Sequence, residues 1–256
     1  MNKLLATAFA AATLTMSVQP AFAGEMVRES RAVDAKVTKV KLGGVVDLTV
    51  RQGATPSLVV SGDRDQVAKL TTTLQGDTLQ IDTAKQNNIH IGWSKHDLKA
   101  ELTVPNLSEF VSQGVGGSRI VGFNGDSITV ALDGAGSVTI DSRYRNVDAR
   151  LGGVGGLTLT GADAERMDLS LRGAGRINAT GQVKMLRANL AGVGSLEATK
   201  LRADSVDLDL SGMGGAEVYA KSAASVSLSG LGSATVYGNP ASRTSNSSGM
   251  GKVNWK

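Results

Sequence analysis

The chain contains no cysteine, so it has neither a disulfide framework nor a thiol that could carry a lipid anchor. Histidine occurs only at positions 90 and 96, and together with the missing thiols this excludes Cys–His catalysis and most zinc sites. Aromatic residues make up 4% of the sequence, which leaves few side chains for stacking on sugars or bases. Proline occurs four times against 32 glycines, and the glycines follow no G-X-Y period, so the sequence is neither collagen-like nor typical of a disordered chain.

An excess of charge is also missing. The formal net charge is +4, and no stripe of basic residues alternates with aromatic ones, which argues against a nucleic-acid partner. Beyond residue 23 no apolar run approaches the roughly 20 residues of a membrane-spanning helix. The mature chain is therefore expected to have no transmembrane segment.

Residues 1–23 have the pattern of a secretory signal peptide. Lys3 is followed by an apolar and small-residue stretch over 4–18, and Ala21-Phe22-Ala23 forms an A-x-A cleavage site. We predict that the mature protein begins at Gly24 and is exported, either to the periplasm or to the cell surface and medium.

A Gly-x-Gly triplet with an apolar middle residue dominates the rest of the chain. Its first glycines lie 18 to 20 residues apart, at Gly114, Gly134, Gly153, Gly173, Gly192, Gly212, Gly230 and Gly249. None of the triplets extends to G-x-G-x-x-G, and the residue after each is not aspartate, so phosphate-binding loops and calcium-binding nonapeptide repeats are both excluded. Regular repeats of this length are typical of a solenoid.

Apolar and polar residues alternate on both sides of each triplet, which predicts two short strands per repeat. A leucine stands two residues before most of the triplets, for example Leu171 and Leu190. A unit this short cannot bury its own apolar face, but stacked units can. The sequence therefore predicts an all-β, single-domain β-solenoid (β-helix) with coils of about 19–20 residues, in which Leu171 and Leu190 are buried neighbours.

Glycine at these bends is expected to supply positive φ and close approach between coils, while the middle residue of the triplet points inward. A second bend in each coil is indicated by further glycines, at Gly122, Gly161, Gly181 and Gly238.

Residues 24–113 lack the triplet and are interpreted as irregular β coils that cap the solenoid, whereas residues 114–256 hold the regular repeats. Strands are predicted over 45–50, 58–61, 79–82, 89–93 and 98–104. A short helix is predicted over 63–70 with Asp63 as its N-cap. At the other end, Trp255 falls in an apolar column and is expected to close the last coil.

The order of several short motifs resembles the DUF2807 family, also called the putative autotransporter adhesin head GIN domain. These motifs are GGVVDLTVRQG at 43–53, LVVSGD at 58–63, GDTLQI at 76–81, VPNL at 104–107 and the repeated Gly-x-Gly-Ser coils. The resemblance covers about residues 33–240. It implies an exported bacterial β-solenoid whose function is not established, and it brings no catalytic residues.

Two groups of polar residues are candidate sites. Asp148, Asp168 and Asp207 share one outward column with Arg187, and stacking would place successive members about 5 Å apart. This carboxylate column could bind a cation or act on an acidic polysaccharide, or it could be a solvated face with weak pairs between coils. A second group, His90, Trp93, His96 and Asp97, could bind a metal or ligand, or could be an exposed loop.

We expect no catalytic, cofactor or metal site and therefore no enzyme. Two functional hypotheses remain. One is a structural or adhesive module of the bacterial cell envelope whose partner is a protein or polysaccharide. The alternative is a carbohydrate-binding or polysaccharide-lyase-like β-helix. Sugar binding favours exposed aromatic platforms, for which the solenoid offers only Phe123, Tyr144, Tyr219 and Tyr237.

Overall fold

A computed structural model describes residues 25–83, 98–248 and 250–256. In these parts of the chain, seventeen strands form one continuous, coiled sheet, and the single helix has six residues. The fold is the predicted all-β solenoid.

The regular coils are six long strands of 16 to 18 residues, each of which bends twice. They are β9 (Val115–Leu132), β10 (Ala135–Leu151), β11 (Val154–Leu171), β12 (Ala174–Leu190), β13 (Val193–Leu210) and β14 (Met213–Leu228). In β11 the alternation of buried and exposed residues restarts after Thr160 and again after Glu165, where two exposed residues follow one another. Each coil therefore has three faces: a first run after the triplet, a short middle run and a third run before the next triplet. The sequence predicted two strands per coil and missed the middle run.

Neighbouring coils pair in parallel and in register, so equivalent residues lie above one another. Leu171 pairs with Leu190 and both side chains are buried, as predicted. The leucine column runs on through Leu132, Leu151, Leu210 and Leu228, which are also buried. Because every inward column is stacked in this way, the apolar core is continuous along the whole solenoid.

The Gly-x-Gly corners are hydrogen-bonded from coil to coil. At the corner before β12, the N–H groups of Arg172 and Gly173 both donate to the carbonyl of Leu151, at 2.9 and 3.1 Å, and the N–H of Ala174 donates to Gly153, at 2.9 Å. The prediction that the middle residue of the triplet points inward is wrong, since Val154 is 60% exposed. The leucine two residues before the triplet already fills the interior, and the middle residue lies on the outer side of the corner.

Glycines in the second bend were predicted correctly. Gly122, Gly161, Gly181 and Gly238 all have positive φ, between 65° and 123°. The chain turns there from the first run to the middle run, and a left-handed backbone favours glycine at such a position.

The N-terminal part builds the irregular first coils, and its order in space differs from its order in sequence. Its strands are β1 (Met26–Arg31), β2 (Lys39–Leu42), β3 (Asp47–Gln52), β4 (Ser57–Asp63), β5 (Leu70–Gln75), β6 (Thr78–Thr83), β7 (Lys99–Val104) and β8 (Glu109–Ser112). The coil β2–β3 lies between the outer coil β6–β7 and the coil that β8 begins, because β2 pairs with both β6 and β8 and β3 pairs with both β7 and β9. Four of the five strands predicted from sequence are present, and the predicted segment 89–93 lies outside the described residues.

Antiparallel strands and the helix cover this end of the solenoid. β4 pairs with β7 and β1 with β4, while β5 pairs with β6. The helix α1 (Arg64–Lys69) begins after Asp63, whose carboxylate accepts the N–H of Asp65 at 2.9 Å, so the predicted N-cap is confirmed. Arg31 donates to the carbonyls of Val67 and Leu70 at the other end of the helix and so fastens β1 to the cap.

The last complete coil is built from β15 (Leu231–Tyr237) and β16 (Ser242–Ser247), which both pair with β14. The strand β17 (Lys252–Trp255) stacks on β15 as the start of a further coil. Trp255 pairs with Val236 in the inward column and packs against the core, as predicted for a closing residue. The guanidinium of Arg243 lies 5.6 Å from the centre of its ring and covers the indole from outside.

Candidate interaction surfaces

The predicted column of charged residues is present on the third-run face. Asp148 pairs in register with Asp168, Asp168 with Arg187, and Arg187 with Asp207. The spacing between coils therefore agrees with the stacking that the sequence predicted.

Arginines neutralise most of this column. Nε of Arg166 lies 2.7 Å from a carboxylate oxygen of Asp168 on the same strand, and Nε of Arg187 lies 3.4 Å from Asp207. The hydrogen bond to Asp168, together with the charges of Asp168 and Asp148, raises the pKa of Arg166. Asp168 thus pairs with Arg166 rather than with Arg187, and the side chains of both pairs are about one third to one half exposed. Exposed pairs of this kind contribute little to stability because solvent and salt screen them.

A second charged column, which the sequence analysis missed, follows the corner between the middle and third runs. Its members alternate in sign from coil to coil: Asp126, Arg145, Glu165, Lys184, Asp204 and Lys221. Three pairs join neighbouring coils, with N–O distances of 3.8 Å for Arg145 and Asp126, 3.0 Å for Lys184 and Glu165, and 3.9 Å for Lys221 and Asp204. The hydrogen bond and charge of Lys184, and the charge of Arg145, lower the pKa of Glu165.

The signal for this column was present in the coil lengths. In the three coils of 20 residues, the acidic residue lies twelve positions after the first glycine of the triplet; these residues are Asp126, Glu165 and Asp204. In the two 19-residue coils between them, the basic residue, Arg145 or Lys184, lies eleven positions after that glycine. If the repeats are aligned on the triplet alone, these residues fall in different columns, although they lie above one another in the structure.

The aromatic side chains provide no open platform in the described part of the solenoid. Phe123 and Tyr144 are buried, which corrects their treatment as surface candidates. The hydroxyl of Tyr144 donates to the carbonyl of Leu107 at 2.9 Å, and burial raises its pKa. Tyr219 and Tyr237 are half-buried register neighbours.

Cations cover the faces of both half-buried tyrosines. Arg202 lies 4.4 Å from the ring centre of Tyr219, and Lys256 lies 5.5 Å from that of Tyr237. A sugar ring stacks on a free aromatic face, so these two tyrosines are poorly suited to that contact.

An apolar ridge runs along the outer side of the Gly-x-Gly corners. We call it the corner ridge, and its residues, all exposed, are Val115, Ala135, Val154, Ala174, Val193, Met213, Leu231 and Met250. The exposed fraction is 52% for Val193, 53% for Met213 and 49% for Leu231. The sequence showed the apolar column but placed it on the wrong side of the backbone.

The candidate metal or ligand group at His90, Trp93, His96 and Asp97 lies outside the described residues. Within residues 25–83, 98–248 and 250–256, no three side chains of histidine, aspartate or glutamate converge in a way that could hold a metal ion. The described segments also include no helix of the length and apolar character required to cross a bilayer.

Comparison with solved structures identifies the same fold in other bacterial proteins. A putative adhesin from Parabacteroides merdae is 16% identical, covers 91% of this chain and 97% of its own, and superimposes with a TM-score of 0.80. A putative lipid binding protein from Parabacteroides distasonis is 19% identical, with coverages of 91% and 98% and a TM-score of 0.82. A putative adhesin from Bacteroides fragilis is 21% identical, with coverages of 94% and 100% and a TM-score of 0.66. At these identities the likeness concerns the fold alone.

No curated protein matches the chain. A family model does match, over residues 36–240, and this region includes strands β2 to β8, the helix and all six long strands. The protein therefore belongs to the DUF2807 family, described as putative auto-transporter adhesin, head GIN domain.

Proposed function

We propose that this protein is a non-catalytic interaction module of the bacterial cell envelope, exported to the periplasm or the cell surface, that makes adhesive or structural contacts through its outer surfaces. The observation that carries the proposal is the in-register stacking of the coils. Outward residues of one column recur at the strand spacing of about 4.8 Å, so that an extended partner can make a contact at every coil. Many weak contacts made together give avidity without a deep binding site.

The electrostatics of the described residues favour this role over catalysis. Catalytic acids and bases usually have pKa values shifted by burial in a cleft. Here the lowered pKa values of Asp77 and Glu165 arise first from hydrogen bonds to the surface lysines Lys39 and Lys184. The raised pKa of Tyr144 belongs to a side chain that fills the core and bonds to the backbone.

The same surfaces argue against the alternative of a carbohydrate-binding or polysaccharide-lyase-like β-helix. Asp148, Asp168 and Asp207 lie on an open face, and arginines bind the last two. Successive triplets are 18 to 20 residues apart, which leaves no room for loops that would roof a cleft over the third-run face.

A polysaccharide assay separates the two functions. The purified mature protein is incubated with acidic and neutral polysaccharides, with and without calcium, and new chain ends are measured. We expect no turnover. Turnover that disappears in the double variant Asp148→Asn, Asp168→Asn, with an unchanged melting temperature, would refute the non-catalytic reading.

Binding is tested on isolated envelope material. Labelled protein is mixed with membrane and cell-wall fractions, and bound protein is measured after sedimentation, with a cytosolic fraction as the control. We expect saturable binding to envelope material. Equal recovery in the envelope and cytosolic fractions would contradict an envelope role.

A further inference from the structure

Among the described residues from 115 onward, every large hydrophobic side chain that is exposed lies on the corner ridge, with the exception of Met185. Within two residues on either side of each ridge position, glycine and serine predominate. Gly153 and Gly155 flank Val154, for example, and have no side chains that could cover it. The ridge side chains therefore have little cover from their neighbours in sequence.

The size of the ridge argues against a second copy as its partner. Eight small and medium side chains, about half exposed, present on the order of 500 Å² of apolar surface, near the upper end for one patch on a monomer. A stable protein interface buries roughly 800 Å² on each partner. Two ridges packed together could bury no more than each exposes, which is less than this area, and the ridge side chains lack the hydroxyl and aromatic groups that bind sugars.

A lipid surface needs no complementary groove, because it deforms around a row of inserted side chains. The charges beside the ridge are consistent with an anionic surface. Within two residues of the ridge positions lie three cations, Arg172, Arg176 and Lys252, and one anion, Asp133. The larger apolar side chains, Met213, Leu231 and Met250, are gathered at the C-terminal end, where Lys252 lies two residues after Met250.

We propose that the corner ridge docks the solenoid side-on to an anionic lipid bilayer surface. This inference rests on the proposed envelope function and names the partner and the contact surface. Docking inserts one side chain per coil into the headgroup boundary, while the middle-run face, on the opposite side of the coil, stays in water.

The first experiment measures flotation with vesicles. The probe is purified mature protein with vesicles of phosphatidylglycerol and phosphatidylethanolamine, and separately with vesicles of phosphatidylcholine alone. We expect binding to the anionic vesicles, weakened at least about tenfold in the triple variant Val193→Ser, Met213→Ser, Leu231→Ser, because three inserted apolar side chains are lost. The matched control is Met26→Ser, Leu74→Ser, Met185→Ser, which removes three exposed apolar side chains elsewhere and should change binding less than about twofold.

The second experiment uses the absence of cysteine. Single variants Val193→Cys on the ridge and Gln182→Cys on the exposed middle-run face each accept one environment-sensitive fluorophore. Anionic vesicles should shift the emission of the ridge label to the blue and leave that of the middle-run label unchanged.

The outcomes separate failure of this inference from failure of the proposed function. If the protein binds envelope fractions but the ridge variant floats like the wild type, or both labels shift equally, the ridge is not the contact and the envelope role stands. If the ridge variant abolishes self-association instead of vesicle binding, the ridge joins copies of the chain and lipid docking is wrong. If the protein binds neither vesicles nor envelope fractions, both proposals fail.

Discussion

Four glycine-to-alanine substitutions separate the two reasons for which the coils need glycine. At Gly175 the φ angle is +155°, and an added Cβ would overlap the carbonyl oxygen of Gly155 on the preceding coil. At Gly173 a Cβ would overlap the carbonyl oxygen of Gly153, but no positive φ adds to the clash. At Gly161, φ is +65° and nothing lies within 4 Å.

The fourth position is the control. Gly156 has no positive φ, and the nearest atom to an added Cβ is the carbonyl oxygen of Arg176 at 4.0 Å. Gly156→Ala should change the free energy of unfolding by no more than about 0.5 kcal/mol. Gly161→Ala should cost about 1 kcal/mol because alanine is strained in the left-handed region.

Alanine at Gly173 or Gly175 should lower the free energy of unfolding by more, because the added Cβ would overlap backbone atoms. A flexible side chain could move aside, but the carbonyl of Gly153 or Gly155 belongs to a coil that is hydrogen-bonded on both sides. Gly173→Ala should therefore cost about 1–3 kcal/mol as an overpacked contact. Gly175→Ala combines that clash with a strained φ, and we expect about 4 kcal/mol.

Urea unfolding followed by circular dichroism measures the four free energies. All four positions lie within residues 156–175, so local differences in the cooperativity of the solenoid affect them similarly. The expected order of cost is Gly156, Gly161, Gly173, Gly175. If the free energies of unfolding of Gly175→Ala and Gly156→Ala differ by less than about 0.5 kcal/mol, the close approach of the coils is not the reason for glycine at this corner.

Five further predictions follow from single residues. Leu190→Ala should lower the free energy of unfolding by about 2–5 kcal/mol in urea, since Leu190 is buried against Leu171, and a cost within error would refute the register. Ser118→Val should stabilise by about 1 kcal/mol in the same assay, because the Ser118 hydroxyl is buried without a hydrogen-bond partner; destabilisation would mean that the hydroxyl is satisfied. Because burial raises the pKa of Tyr144, the folded state keeps a proton that the unfolded state loses at alkaline pH, and the melting temperature should fall as pH rises above about 10. In the variant Tyr144→Phe this fall should be smaller. Glu217→Lys should stabilise by up to about 1 kcal/mol at low salt, because Glu217 lies in register beside Glu197, and the gain should vanish in high salt. Protein recovered from the periplasm or medium should begin at Gly24 by N-terminal sequencing, whereas an N-terminus at Met1 would contradict export.

The coil register could be predicted from the sequence because it depends on columns of equivalent residues. Leucine recurs two positions before most triplets, and parallel stacking places equivalent residues together. The short helix was also predictable, because Asp63 supplies a local capping signal that does not depend on distant contacts.

The side chains at the corner were assigned to the wrong side for a physical reason. Period-two alternation predicts facing only along an extended strand. At the triplet the backbone is not an extended strand, so the sequence does not indicate whether the apolar residue between the two glycines faces the core or the solvent. Val154 and Met213 are exposed although they match the apolar pattern of the core.

The winding of the N-terminal part was not predictable for a different reason. The coil β2–β3 is placed by pairing with strands that come much later in the chain, for example Leu48 with Ser118 and Val40 with Phe110. A local sequence pattern cannot predict which strand, seventy residues away, a segment will pair with. The aromatic candidates were misjudged in the same way, because the partner of the Tyr144 hydroxyl is the carbonyl of Leu107, 37 residues earlier.

Charge alternation is a consequence of stacking rather than a separate design feature. An in-register parallel solenoid places each residue above its equivalent, which favours apolar and small neutral columns but sets like charges about 4.8 Å apart. A charged column is therefore favoured if its sign alternates, as from Glu165 to Lys184 to Asp204, or if a neighbour on the same strand neutralises one member, as Arg166 does for Asp168. A pair of like charges in register, such as Glu197 and Glu217, is expected to be destabilising. Because the extra residue of each longer coil lies before this column, its members stay aligned from Asp126 to Asp204 although the coils differ in length.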